Sequence, residues 1–360
     1  MSEIRSMLAD TINKVMKDQC TKELIAKAEK GVFPISLWKT LEELGVMGIG
    51  IDEENGGAGG DLGDLMALLK IAGYYAAPIP LAEHILSNWL LSSCGLPIDS
   101  EICTLGPVNQ ANEIHFTEIS GGWIVSGKAS YVPWGRDAKS ITVFGKSDEN
   151  HLMAAKIQLD LCSINPHENL AGEPRDEVIM NNIHLKKESA AYLEADKLNE
   201  LYITGLLSRV MLMTGALEKT LDLTVAYSKE RTQFGRPISK FQAIQQQLAI
   251  IAGEITAAMV IADFVMSNID DKLNFEEAAM AKIQLGDAAG LVSRIAHQVH
   301  AAMGFTDEHP LHLSTRRLWS WRDEFGTESE LAKKLGEYIL VNCSSNLWEF
   351  ATHSKSTIRQ

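Results

Sequence analysis

Two periodicities alternate along this chain. Leu37, Leu41 and Leu44 recur at helical spacing in the first hundred residues, before the glycine-broken run Gly45 to Gly50. From about residue 101 to 190 the pattern becomes short β-rich runs: Trp123-Ile124-Val125, Tyr131-Val132, Ile141 to Phe144 and Val178-Ile179-Met180. Glycine, Asn and Asp punctuate them, which predicts an antiparallel sheet. Helical spacing then returns. Leu206, Val210, Met213, Leu217 and Leu221 form one stripe, and Phe241, Ile244, Leu248, Ile251, Ile255 and Met259 form another. Each predicts a helix with one buried face. Two further helices are expected, from about Glu276 to His300 and from about Glu328 to Trp348, and four long helices can form a bundle. The expected fold is α+β and mostly helical: an N-terminal helical domain over residues 1–100, a central antiparallel β domain over 101–195 and a C-terminal four-helix bundle over 196–360.

Composition narrows the classes. Hydrophobic residues make up 46% of 360, enough for a large core, and the formal net charge is -14. An acidic chain is a poor match for nucleic acid or an anionic membrane surface, since both are polyanionic. No run reads as the roughly 20 continuous apolar residues of a membrane helix, and the N-terminus lacks a secretory pattern. No nucleic-acid partner and no membrane are therefore expected. The five cysteines are scattered and lack Cys-x-x-Cys spacing, so reduced thiols and a cytoplasmic location are expected.

Few motifs carry chemistry by themselves. The run Asn55 to Gly63 is glycine-rich but lacks the ending of a P-loop, so it reads as a turn capped by Asp61 before a helix through Leu65, Leu68 and Leu69. No Gly-x-Gly-x-x-Gly follows a strand. His297 and His300, then His309 and His312, repeat a spacing of three, but no carboxylate completes a ligand set, and no metal is expected.

One segment is far more specific. Tyr227 to Ile238, with Arg231, Thr232, Gln233, Phe234, Gly235, Arg236 and Pro237 inside it, followed by Phe241-Gln242-Ala243-Ile244-Gln245, closely resembles the signature of acyl-CoA dehydrogenases. It reads as a helix end, a tight turn on Gly235 and Pro237, and a helix start with Ser239 as N-cap. Gln298 to Phe305, then Thr306 to Pro310, is similar to a second family stretch, in which Gln298 and Gly304 match while Ala301 and Ala302 replace a double glycine. Leu37 to Gly57 is similar to the family's N-terminal pattern.

The resemblance implies FAD as cofactor, and α,β-dehydrogenation of an acyl-CoA thioester by a carboxylate that removes the α proton while a hydride goes to the flavin. It implies Arg231 on the pyrophosphate, Phe234 beside it, and Gln298 and Gly304 near the FAD of a neighbouring subunit. Thr327 and Trp134 are further cofactor candidates. The implied partners are an acyl-CoA substrate, a homo-oligomer or a related acyl-CoA dehydrogenase subunit, and an acceptor such as an electron-transfer flavoprotein. Assembly through the C-terminal bundle follows from the same resemblance.

Three departures leave the function open. In the turn Asp323-Glu324-Phe325-Gly326-Thr327 the family's base position falls on Phe325, which leaves Glu324 as the catalytic candidate and Asp323 as the weaker one. The alternative base position falls on Gly205. In the sheet region no Glu-x-Gly-x-Gly-Ser-Asp-like loop is present, and Tyr131 and Pro133 stand where the family has Trp and Thr or Ser. An active dehydrogenase, a non-catalytic or half-site subunit of a heteromeric enzyme, and a flavin monooxygenase on the same fold all remain.

Overall fold

The computed structural model describes residues 3–107, 113–267, 269 and 273–342. The chain divides into two compact units, Met1–Ser208 and Arg209–Gln360.

The first unit opens with five helices: α1 (Glu3–Gln19), α2 (Lys22–Ala28), α3 (Ile35–Glu43), α4 (Leu62–Tyr74) and α5 (Leu81–Ser93). Leu37 and Leu41 are buried, as their spacing predicts, together with Trp38. Leu44 is not: the helix stops at Glu43, and Leu44 lies partly exposed beside the left-handed Gly45. Asp61 caps α4 in a reciprocal box with Asp64, and Arg5 of α1 binds both carboxylates. The glycine-rich run before this cap serves a close backbone crossing. A Cβ on Gly57 would lie 2.0 Å from the carbonyl oxygen of Ile51.

Eight strands follow: β1 (Cys103–Leu105), β2 (Ile114–Ile119), β3 (Gly122–Pro133), β4 (Ser140–Ser147), β5 (Leu152–Gln158), β6 (Ser163–Asn165), β7 (Arg175–Lys186) and β8 (Ala190–Tyr192). Their order is β6-β7-β3-β2-β4-β5-β8, with β1 also on β4. The sheet is antiparallel at most joints, as the sequence predicts, but β4 pairs parallel with both β1 and β2. One core gathers Phe116, Val125, Val132, Ile141, Val143, Met153 and Val178. A second places Leu86 and Leu90 of α5 against Leu105, Phe144 and Ala154. A polar network crosses that layer: His84 Nδ1 is 3.2 Å from both the N–H and the Sγ of Cys103, and Asn88 donates to the carbonyl of Asp99. Burial pushes the His84 imidazole down to about 4 and the Cys103 thiol up to about 12, so both are neutral structural groups.

The 36-residue helix α6 (Ala195–Glu230) leads into the second unit. It is followed by β9 (Thr232–Gln233), β10 (Arg236–Pro237), α7 (Gln242–Ser267), α8 (Phe275–His300), α9 (Leu311–Trp321) and α10 (Glu328–Asn342). The predicted α6 stripe is buried at Val210, Met213 and Leu217. The α7 stripe is buried only from Ile251 on; Phe241, Ile244 and Leu248 are half-buried, and Ala258 and Ala262 complete the contact face instead of Met259. Small residues let α7 approach α8, a selection that large-residue periodicity does not reveal. The opposite face of α7 exposes Ile250, Val260 and Phe264. By length and composition α7 is long and apolar enough to cross a membrane, although Glu254 and Asp263 interrupt it and it contains no continuous apolar run of that length. The short α9 was not anticipated, and the expected end of the last helix at Trp348 lies outside the described residues.

Candidate functional site

The signature segment folds as a two-residue β-hairpin. Gln233 pairs with Arg236 and Thr232 with Pro237, and the turn between them is Phe234-Gly235 with φ of 50° and 78°. Two successive positive φ values make the twist that closes a hairpin this tight. The Arg231 N–H donates to the Tyr227 carbonyl, and the Ile238 N–H donates to the Arg231 carbonyl. The Arg231 side chain is exposed, and Phe234 at the tip is 92% exposed. Arg236 lies over the Phe241 ring at 4.3 Å. Ser239 is not the N-cap predicted for it. It sits inside a 3-10 turn, Ile238–Lys240, and its carbonyl accepts a bond from Gln245, because α7 begins only at Gln242.

The second stretch closes α8. Gln298 is exposed in its last turn, and Gly304 is buried in the 3-10 segment Ala301–Phe305. A Cβ on Gly304 would meet His297 Nδ1 at 3.0 Å and His300 Cβ at 3.1 Å, a tight fit that a side chain could enter only if these neighbours shifted slightly. Ala301 keeps a glycine-like backbone, φ 51° and ψ -136°, although it carries a methyl group. Tyr227 stacks on His300 at 4.4 Å and donates to its carbonyl, which joins the base of the hairpin to the end of α8. The histidines hydrogen-bond to different groups, although the His300 and His309 rings lie 4.5 Å apart: His300 Nδ1 donates to the Ala296 carbonyl, His312 Nδ1 to the His309 carbonyl, and His297 Nε2 meets the Thr315 hydroxyl.

The turn before α10 is braced by side chains from α6 and α8. Arg209 of α6 donates from Nε to Glu324 at 2.6 Å; Arg209 is 3% exposed and Glu324 20%. The same guanidinium lies 5.3 Å from the centre of the Phe325 ring. Lys282 of α8, 1% exposed, donates to the carbonyls of Arg322 and Gly326. Arg322 binds Glu328 at 2.9 Å. Thr327 caps α10: its hydroxyl accepts from the Glu330 N–H, while its own N–H donates to Glu330. Phe325 and Gly326 both have positive φ, 59° and 114°.

In the first unit, Trp134 is 4% exposed and packs edge-on against Phe33, the arrangement of a core residue. Tyr131 is exposed, and the Pro133 carbonyl accepts from the Thr104 hydroxyl. Among the described residues eight non-glycine positions have positive φ, and five of them (Tyr131, Trp134, Phe234, Ala301 and Phe325) lie in the segments that the sequence resemblance assigns to the cofactor site or its base. Such strain, about 1–3 kcal/mol each, gathers where backbone geometry serves function. The hairpin's donor set suits a dinucleotide: an exposed guanidinium takes a diphosphate and an exposed ring gives an aromatic nucleobase a stacking face. Arg209 and Lys282 were missed from sequence. The available signal for Lys282 was a charge inside the apolar stripe Ala278, Leu285, Ala289 and Val292.

The family model described as acyl-CoA dehydrogenase, N-terminal domain, matches residues 2–95, and that for the C-terminal domain matches 206–329, together more than half of the chain. Acyl-CoA dehydrogenase IpdE2 of Mycolicibacterium smegmatis is 25% identical, over 93% of this chain and 98% of its own. Benzylmalonyl-CoA dehydrogenase of Aromatoleum aromaticum is 24% identical, over 86% and 91%. Among solved structures, the ChsE4-ChsE5 complex from Mycobacterium tuberculosis superposes with a TM-score of 0.86 at 19% identity, covering 94% of this chain and 98% of that one. A glutaryl-CoA dehydrogenase from Mycobacterium smegmatis in complex with FADH2 gives 0.86 at 18%, covering 94% and 95%.

Proposed function

The chain belongs to the acyl-CoA dehydrogenase family, as an FAD-dependent oxidoreductase acting on acyl-CoA, and on that premise we propose that it oxidises the Cα–Cβ bond of an acyl thioester as one subunit of an assembly. The observation that carries the assembly is the hairpin tip: a phenylalanine 92% exposed at the apex of a turn built to display it, beside an exposed arginine. Burying such a ring is worth about 1.5–3 kcal/mol, so a cofactor or neighbouring subunit gains by covering it.

When bound, the flavin supplies the hydride acceptor. The work of this chain is to bind, orient and move a proton. Arg231 would hold the diphosphate with its fork of N–H donors, and Phe234 would give the nucleotide an aromatic face. Gln298 and the Ala301–Phe305 segment would serve the cofactor of a neighbouring subunit. The Thr327 hydroxyl, which accepts from Glu330, still has its own hydrogen to donate there. Glu324 takes the α proton, and Arg209 fixes where its carboxylate points. An acceptor such as an electron-transfer flavoprotein would be the partner that takes the electrons onward.

A half-site subunit is the second reading. It is favoured by Phe325 at the family's base position and by the engagement of Glu324 with Arg209. In that reading this chain completes cofactor sites while a related chain supplies the base, and one structural neighbour, the ChsE4-ChsE5 complex, is itself a complex. The test is anaerobic mixing of the purified flavoprotein with butyryl-, octanoyl-, palmitoyl- and 3-phenylpropanoyl-CoA. Bleaching by the chain alone supports the first reading, and bleaching only after co-expression with a related chain supports the second. No bleaching in either form rejects acyl-CoA oxidation.

A further inference from the structure

The turn that carries Glu324 has a backbone that would not hold itself. Phe325 is a bulky residue with φ 59°, followed by Gly326 at 114°. Three cations from three elements surround it. Arg209 comes from α6, Lys282 from α8, and Arg322 from the start of the turn. The acids facing Lys282 are Asp323 and Glu324 on the turn and Glu328 on α10.

Lys282 differs from the other two cations in what it binds. Arg209 and Arg322 meet carboxylates, whereas Lys282 directs its ammonium at two backbone carbonyls: Arg322 at 2.6 Å and Gly326 at 3.4 Å. Those carbonyls lie on either side of Glu324-Phe325, so one buried ammonium fastens both ends of the segment that holds the strained Phe325. The surface of α8 is cut to receive the segment. One turn on from Lys282, a Cβ on Gly286 would collide with the Glu328 carboxylate, while at Gly290, another turn on, a Cβ would make only ordinary contact with Arg322. Lys282 and Gly286, four residues apart, thus make one docking strip for the 322–328 segment.

A charged group so deeply buried is a poor choice for stability alone, since an apolar residue of similar shape often serves as well or better. We propose that Lys282 is a positioning residue: it staples the Arg322–Gly326 turn and so sets where Glu324 and Phe325 stand toward the acyl thioester. This rests on the acyl-CoA reading above.

The experiment pairs Lys282→Met, which keeps length and removes the N–H donors, with Lys282→Gln, which keeps donors too short to span both carbonyls. Two readouts are taken on the flavin-loaded full chain: hydrogen exchange of the 322–328 amides, and anaerobic bleaching by whichever of the four acyl-CoA probes reduces the wild type. The expected result is exchange at least about tenfold faster in that segment, with α8 unchanged and Tm not lowered in Lys282→Met. The limiting bleaching rate falls about tenfold or more while half-saturation stays within about twofold. Unchanged exchange in both variants overturns the staple. Faster exchange with an unchanged limiting rate overturns positioning and leaves acyl-CoA oxidation standing. Failure of the wild type to bleach, both alone and co-expressed with a related chain, rejects the acyl-CoA reading, and the positioning role with it.

Discussion

The second unit contains the dipeptide Phe-Gly twice in the same backbone hand, at Phe234-Gly235 and at Phe325-Gly326, and the two are treated in opposite ways. The first closes a hairpin whose own strands satisfy it, and its ring points into solvent. The second closes no hairpin. It is held by side chains far away in sequence: Arg209, 115 residues earlier, through Glu324, and Lys282, 44 residues earlier, through Gly326. A turn satisfied locally can display a residue for something outside the chain. A turn braced from a distance fixes a residue relative to the rest of its own unit. The first suits binding and the second suits chemistry, where an error of an ångström is expensive.

Removing the carboxylate at the braced turn has the largest expected effect. If Glu324 takes the α proton, Glu324→Gln lowers the limiting rate of anaerobic flavin bleaching by about 10²–10⁴-fold, the usual worth of a positioned base. The amide oxygen can still accept from Arg209, so the fold is kept, although a buried arginine that loses its counter-ion weakens the unit. A fall of less than about tenfold, in a variant that retains flavin, removes Glu324 as the base and moves the weight to the half-site reading.

At the displayed turn the corresponding deletion acts on binding. Arg231→Ala removes the fork of donors without disturbing the hairpin ladder, which uses only the Arg231 backbone. Flavin retained after dialysis at limiting FAD should fall about tenfold or more, as expected for charge-assisted bonds worth roughly 1.5–3 kcal/mol. Bleaching of the flavin that remains should keep its rate. Unchanged retention would mean that the hairpin serves some other partner.

Lys282 sharpens the contrast through pH. Burial pushes its ammonium down to about 8, against the charges of Glu328, Glu324 and Asp323, which favour it. Below pH 8 the folded chain carries a buried charge that the unfolded chain solvates freely. Between about 8 and 10.5 the folded lysine is neutral while the unfolded one still holds its proton, so stability contributed at this site rises with pH across that window. Relative to Lys282→Met, the wild type should gain on the order of 2–3 kcal/mol from pH 7.5 to 10, read as a difference in urea midpoints. A difference that stays flat with pH would show that the ammonium is not penalised. The hairpin variants should show no such dependence.

Both turns could be located in the sequence, but only one could be understood there. The hairpin is a contiguous pattern, and Gly235 and Pro237 state its geometry within a few residues. Residues 323–327 are visible as a turn, and Phe325 as a departure, yet the residues around Glu324 do not reveal what binds it. Its partner is Arg209 on a different helix, a pairing that no local spacing encodes. Lys282 was hidden for a related reason: its targets are backbone carbonyls, which every residue has. The order of helices, strands and helices was legible because periodicity reports burial. It failed at the start of α7, where the apolar stripe is real but the chain's own core does not reach it.

The smallest effect asks why the displayed turn carries phenylalanine at all. A type I′ turn prefers Asn at its first central position, because a short polar side chain tolerates positive φ where a bulky one is strained by roughly 1–2 kcal/mol. In the chain alone the Phe234 ring has little to lose, since it is 92% exposed and its ring contact with Phe241 is edge-on at 6.2 Å. Phe234→Asn should therefore stabilise the flavin-free chain, by about 1 kcal/mol at most, or about 2–4 °C in Tm for a unit of this size. In the assembled flavoprotein the sign should reverse, with flavin retention reduced severalfold, because the ring is then covered. A gain without flavin and a loss with it would identify the ring as held in a strained turn for an outside contact. A lower Tm in the flavin-free chain would mean that Phe234 supports its own unit after all, and the contrast between the two Phe-Gly turns would lose its basis.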